Sequence, residues 1–225
     1  MTDLYTGIID LAHMDQDVLV SEHANHGVNA VVLKVCTGVG CPDDRFVARF
    51  GEAVNLGMLV SGYAFLTGQH PGEQQFADLR KYWDAACAQH GIDPTSRPIW
   101  GDYEENPSGS KATPEVARAF LAAGREAGYN VGIYCGEDNG CVSFPDVNDA
   151  VGTYPLWLAA YGPDPRTEHV PPPWRATGWT MAQYTNDGAG PSDQTTFPRS
   201  GCDRSCYRGD LAALTAYWNS KPYHG

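Results

Sequence analysis

A chain of 225 residues with 42% hydrophobic content is long enough to bury one sizeable core, and a single domain, residues 1–225, is expected. Its formal net charge of −12 opposes a nucleic-acid partner, which would favour a basic face, and gives no attraction to an anionic cell wall. No apolar run is long enough to span a membrane, and Met1-Thr2-Asp3 lacks the basic and then apolar start of a signal peptide, so neither an anchor nor an export signal is expected.

Val28 to Val35 and Met58 to Phe65 are short runs rich in Val, Leu and aromatics, the pattern of strands buried on both faces, with helical stretches between them. Pro98-Ile99-Trp100-Gly101-Asp102-Tyr103-Glu104-Glu105-Asn106 then carries another strand-like segment straight into a cluster of carboxylates. On a strand, Asp102 and Glu104 project to one side with Cα atoms roughly 6.6 Å apart, and Tyr103 and Glu105 point to the other. Two acids so placed suit hydrolysis of a glycosidic bond, where one protonates the leaving oxygen and the other attacks or stabilises the oxocarbenium ion. Taken alone, the same residues also fit a solvated loop after a strand.

Thr113-Pro114-Glu115 supplies an N-cap, a proline at the first helical position and an acid in the first turn, and Gly128 stops the helix. Within it Val116, Phe120 and Ala123 recur at helical spacing and are expected to face the sheet. The strand–helix alternation implies a parallel sheet closed or nearly closed by crossovers. After about residue 160 the rhythm changes. Pro163, Pro165, Pro171, Pro172 and Pro173 interrupt the chain, and no good amphipathic helix follows until Asp210 to Asn219, so the late strands should be joined by loops.

Several segments, in chain order, resemble the family-25 glycoside hydrolases, the lysozymes of the Chalaropsis type. Gly7-Ile8-Ile9-Asp10-Leu11-Ala12-His13 resembles that family's opening strand, G-I-D-V-S-H. Val31 to Gly38 is similar to its second strand with the K-A-T-E-G ending, Asp44-Arg45-Phe46 to the start of the next helix, and Leu59 to Phe65 to the third strand, G-x-Y-H-F. The acidic cluster resembles the catalytic D-x-E of the fourth strand. Asn130 to Tyr134, Pro155 to Tyr161 and Ala182-Gln183-Tyr184-Thr185 resemble the fifth, sixth and seventh strands, and Asp203 the acid of the last. Thr37 stands where the family commonly has an acid, Ala64 where it often has a histidine, and Ala182 where a Trp usually precedes Gln-Tyr. These are groove positions in the family.

The resemblance implies an irregular TIM-like (β/α) barrel with fewer than eight helices, with function at the C-terminal ends of the strands. Asp10, Asp102, Glu104 and Asp203 would meet there. Clustered acids cannot all ionise freely, so at least one should keep its proton near neutral pH. The resemblance assigns that proton to Glu104 as general acid and then base. Asp102 either attacks the anomeric carbon or orients the substrate's own 2-acetamido group. Asp10 and Asp203 tune the pair and bind sugar, or are structural. Of the aromatics near strand ends, Tyr63, Tyr161 and Tyr184, with Gln183, are the candidate groove residues, while Phe65 and Trp157 also fall nearby.

The implied activity is an N-acetylmuramidase that cuts the β-1,4 bond between N-acetylmuramic acid and N-acetylglucosamine in peptidoglycan with retention. It needs no cofactor or metal and is expected to be a monomer. It would act on the cell wall, as a secreted enzyme or as a phage endolysin released from an infected cell. Two rival readings remain: a non-catalytic wall-binding module on the same barrel, which the residues at 37, 64 and 182 would suit, and a glycosidase for another polymer such as chitin, although no D-x-x-D-x-D-x-E sequence is present.

The seven cysteines form three close pairs, Cys36 with Cys41, Cys135 with Cys141 and Cys202 with Cys206, plus Cys87 alone on a helix. Three local disulfides and a buried free thiol are expected, with a metal site as the rival, although the spacings lack the C-x-x-C repeats typical of zinc. His13, His23, His26, His70, His90, His169 and His224 show no H-E-x-x-H spacing, and His13 is the one expected near the groove.

Overall fold

A computed structural model describes residues 4–15, 18, 20–106, 109–137, 140–161, 170–185 and 202–220. Met1 to Asp3, Pro163, Pro165, His169 and His224 lie outside them. Eight strands, β1 Leu4–Leu11, β2 Ala30–Thr37, β3 Leu59–Phe65, β4 Pro98–Asp102, β5 Asn130–Gly136, β6 Leu156–Ala159, β7 Met181–Thr185 and β8 Asp203–Arg208, close in sequence order into a barrel. Its α-helices, among the described residues, are α1 Val20–Asn25, α2 Phe46–Asn55, α3 Gly72–Gln89, α4 Pro114–Glu126 and α5 Leu211–Trp218. Among the described residues, the connections after β5 carry only short 3-10 turns until α5, as the proline-broken sequence leads one to expect.

The sheet is not wholly parallel. Neighbours from β1 to β7 pair parallel, but β8 runs antiparallel to both β7 and β1. A parallel strand needs a crossover to bring the chain back, and the sequence of 186–202 holds no amphipathic pattern for one. A strand that starts where its predecessor ended runs the opposite way.

Alternation of side chains sorts the strands into two layers. Ile8, Val32, Trp100, Trp157 and Met181 point into the barrel, where α5 closes the base with Leu214 and Trp218. Ile9, Leu11, Val31, Ile99 and Ile133 face outward beneath the helices. The two interior indoles need partners for their N–H groups: Trp100 Nε1 donates to Ser61 Oγ at 3.0 Å and Trp157 Nε1 to Ser205 Oγ at 2.9 Å. Space for Trp100 comes from its partner across the β4–β5 ladder, Gly132, where an added Cβ would lie 2.4 Å from the indole ring.

Helix α4 begins as expected, with Thr113 Oγ1 accepting from Val116 N, and ends at Gly128, whose φ of 81° is the left-handed conformation glycine adopts freely. Its buried face is rotated from the expected one. Ala117, Phe120, Leu121 and Gly124 are buried, while Val116 and Ala123 flank them partly exposed. Small residues explain the rotation: a Cβ on Gly124 would sit 3.0 Å from Val131, so this face approaches the sheet more closely than a larger stripe allows.

Of the three expected disulfides, the structure closes Cys135–Cys141, the one such bond among the described residues. Cys36, which is buried, and Cys41, which is exposed, are not bonded to each other. Cys202 and Cys206 are both buried, with Cys202 Sγ 3.8 Å from His23 Nε2. Cys87 is a free, buried thiol on α3. No described helix is long and apolar enough to cross a membrane.

Candidate active site

At the C-terminal ends of the parallel strands the inward positions turn polar and surround a cavity of about 310 Å³. Asp10 from β1 and Asp203 from β8 are register partners, so their carboxylates enter side by side. Asp102 ends β4, between register partners Phe65 and Tyr134. Glu104 lies just beyond the strand end, not on it. The chain stays extended there because Tyr103 N donates to Tyr134 O at 2.9 Å, so alternation persists. Tyr103 turns into the core against Phe144, Glu104 turns into the cavity, and Glu105 pairs with Lys111 at the surface.

Gln183 on β7 ties one wall together. Its Nε2 donates to both oxygens of Asp10 at 3.1 Å and to Asp203 Oδ2 at 3.2 Å, while its Oε1 accepts from the Tyr134 and Tyr161 hydroxyls, each at 2.8 Å. The opposite wall carries Lys34 from β2, whose ammonium lies 5.0 Å from the centre of the Phe65 ring. Tyr63, Tyr134 and Trp157 pack edge to face as an aromatic floor.

Burial and mutual repulsion leave these acids reluctant to ionise. Desolvation, then the Asp203 charge, holds Asp10 well above the usual carboxylate range, against the Gln183 hydrogen bonds. Desolvation, then Glu104, does the same for Asp102, opposed by Lys34. Glu104 is raised by burial and lowered in part by Lys34. Asp203 is pushed up to about 7 by burial, with Asp15 and then Glu104 adding to it. The site thus keeps protons at neutral pH, as an acid catalyst must. Asp102 is 6% exposed, and its Oδ1 has no hydrogen-bond partner among the described residues.

The structure gathers Asp10, Asp102, Glu104, Asp203, Tyr63 and Gln183 around one cavity. Tyr161 stands at its edge, 56% exposed, through its bond to Gln183. Tyr184 does not join them: next to the inward-facing Gln183 it must point outward, and it is buried in the outer layer. The same alternation corrects the expectation for Ala64 and Ala182, which are fully buried in that outer layer, and Thr37 does not line the cavity either. His13 does not line the cavity, though its neighbours Ala12 and Met14 do; its Nδ1 lies 3.3 Å from Asp43 Oδ2. Lys34, Tyr134, Asp15 and Met14 were not singled out in the sequence, yet all four line the cavity. A lysine inside the run Val31-Val32-Leu33-Lys34-Val35 is a usable signal, because a charge on a doubly buried strand needs a partner. Among the described residues no group of three or more His, Cys, Asp or Glu side chains is arranged to hold a metal ion.

Residues 9–193 match the family described as glycosyl hydrolases family 25. The chain belongs to that family. It is therefore a glycoside hydrolase. Among solved structures this family 25 enzyme is similar to a muramidase from Trichobolus zukalii, 21% identical, covering 94% of this chain and 97% of that one with a TM-score of 0.72. A family GH25 lysozyme from Aspergillus fumigatus is likewise 21% identical, over 97% of this chain and 100% of that one, with a TM-score of 0.72. The CTP1L endolysin is 20% identical, over 93% of this chain and 68% of that one, with a TM-score of 0.65. At these identities the likeness speaks for the barrel alone. No curated protein matches the sequence.

Proposed function

We propose that this family 25 enzyme is an N-acetylmuramidase that cleaves the β-1,4 bond between N-acetylmuramic acid and N-acetylglucosamine with retention, Glu104 acting as general acid and then base. The observation that carries the reading is the contrast between two neighbouring carboxyls: Glu104 is the more open to the cavity, and Asp102 is buried beside it with an unused oxygen. An accessible, protonated Glu104 can reach a leaving oxygen. The spare Asp102 oxygen is available either to the anomeric carbon or to the N–H of the substrate's acetamido group, and both routes retain configuration. Asp10 and Asp203, joined through Gln183, offer hydrogen bonds to the same sugar, and the ring faces of Tyr63 and Trp157 offer it an apolar floor.

In this reading the substrate is wall polysaccharide, the protein works as a single-domain monomer without a cofactor, and its place of action is the cell wall, reached by secretion or as a phage endolysin. A non-catalytic wall-binding role loses its footing, because the substitutions that suggested it lie outside the cavity.

The test is Glu104→Gln, which fills the same space but cannot deliver a proton. Lysis of purified walls should fall by about 100-fold or more with the circular dichroism spectrum unchanged. Glu105→Gln, at the surface pair with Lys111, should lyse within about twofold of wild type, since exposed ion pairs contribute little. NMR of the first-formed reducing sugar should show the β anomer. Near wild-type lysis by a folded Glu104→Gln variant, or an α product, would overturn the assignment.

A further inference from the structure

The turn from Ala12 to Asp15, between β1 and α1, forms one lip of the groove and presents Met14 and Asp15 to the cavity. It has little core of its own, Met14 being 74% exposed, so its shape is imposed from outside. The imposing group is Arg49 in the first turn of α2, only 7% exposed. Its Nη1 donates to Ala12 O at 2.6 Å and its Nη2 donates to Asp15 O. A guanidinium taken out of water is costly unless its donors are used, and here both terminal nitrogens serve backbone carbonyls. Packing alone would need no charge at this position.

Within the turn, Asp15 N donates to Ala12 O at 3.0 Å and Ala12 N donates to Asp15 Oδ2 at 2.7 Å. From the other side Asp43 Oδ2 accepts from His13 N at 2.8 Å. The carboxylate of Asp15 is thus fixed only as firmly as the turn beneath it.

We propose that Arg49 is a positioning residue of the groove: by holding the carbonyls at both ends of the 12–15 turn, it fixes Asp15 as a fifth carboxylate facing Asp10 and Asp203. The activity consequence rests on the muramidase reading; the positioning itself does not.

Asp203 is the group that reports the arrangement. Around the cavity it faces Asp10 from β1, Asp15 from the turn, Asp102 and Glu104 from the end of β4, Tyr161 beyond β6, and the Lys34 ammonium from β2. Asp10 and Asp15 both repel it, adding to the burial that pushes it up to about 7. A half-protonated Asp203 can donate a hydrogen bond to a sugar hydroxyl, whereas an ionised one can only accept.

Carboxyl-carbon NMR of aspartate-labelled protein without substrate, with Asp203→Asn to assign the signal, follows this titration directly. In Asp15→Asn the Asp203 midpoint should drop by about half a pH unit or more, and in Arg49→Met by a similar amount because the turn is released. Arg49→Lys should fall between, since an ammonium can reach one carbonyl but not hold both in a fixed fork. The double variant Asp15→Asn/Arg49→Met should move no further than the larger single effect. In wall-lysis assays the limb of the pH profile near neutrality should move to lower pH by the same amount.

An Asp203 titration unmoved in Asp15→Asn would overturn the inference. So would Arg49→Met that melts earlier yet titrates like wild type, which is the behaviour of a merely structural arginine. If Arg49→Met does not fold, Arg49→Lys decides, an unshifted midpoint counting against the proposal. Shifted midpoints in a protein that releases no wall fragments would sink the muramidase reading and leave the positioning role standing.

Discussion

Gln183 does for the groove what no carboxylate could. Its amide nitrogen neutralises part of the repulsion between Asp10 and Asp203, and its oxygen holds two tyrosine hydroxyls that would otherwise compete for the same acids. Replacing it with leucine keeps the volume but leaves a buried donor–acceptor network half satisfied. Gln183→Leu should therefore cost about 1–3 kcal/mol of stability, measured by urea unfolding, and lower lysis by about tenfold or more. An unchanged unfolding midpoint would mean that the network is solvated rather than structural. At this scale Asp10 and Asp203 were found only through the family resemblance, whereas Asp102 and Glu104 were readable because an apolar, strand-like run leads into them. Tyr134 was not, since an aromatic on a buried strand reads equally as core; only the register that sets it beside Asp102 distinguishes the two.

Among the elements, β4 shows how packing fixes the site. Trp100 fills the barrel interior two residues before Asp102 and can do so only because Gly132 stands opposite. Gly132→Ala should push the indole and cost about 1–3 kcal/mol through overpacking, with activity falling by more than the loss of folded protein explains, because Asp102 shares the displaced strand. Thermal melts with lysis assays at a temperature where the variant stays folded would check this; full specific activity in the folded fraction would show that β4 adjusts without moving its acid. Strands β2, β3 and β4 and helix α4 were legible from apolar runs and capping residues, and the other parallel strands from the family resemblance. The reversed β8 was not, for its own hexapeptide, Asp203-Arg204-Ser205-Cys206-Tyr207-Arg208, carries no mark of direction. The exact face of α4 also escaped, because Ala117 and Gly124 matter by their smallness, which hydrophobic spacing does not register.

The whole molecule carries its acidity as a dependence of stability on pH. Asp10, Asp102, Glu104 and Asp203 all have folded-state pKa values above their usual ones, so between about pH 4 and 7 the native state binds more protons than the unfolded chain. Stability must then fall as pH rises through that window. The net charge of −12 adds self-repulsion of the same sign. Asp149, lowered by its bond to Arg118, works the other way, its contribution being lost only as pH falls below the usual carboxylate range. The melting temperature should accordingly be highest near pH 4 and decline toward pH 8. Asp203→Asn should match wild type only at about pH 4 and below and exceed it increasingly toward pH 8, by about 2–4 °C for each kcal/mol relieved. A wild-type melting temperature that rises from pH 5 to 8 would contradict this account of the groove.

The central claim concerns which bond is cut. Digestion of defined peptidoglycan, borohydride reduction of the fragments and mass analysis of their ends would report it directly. The muramidase reading proposed above predicts reduced N-acetylmuramic acid at every new end; reduced N-acetylglucosamine there, or no fragments at all, would contradict it.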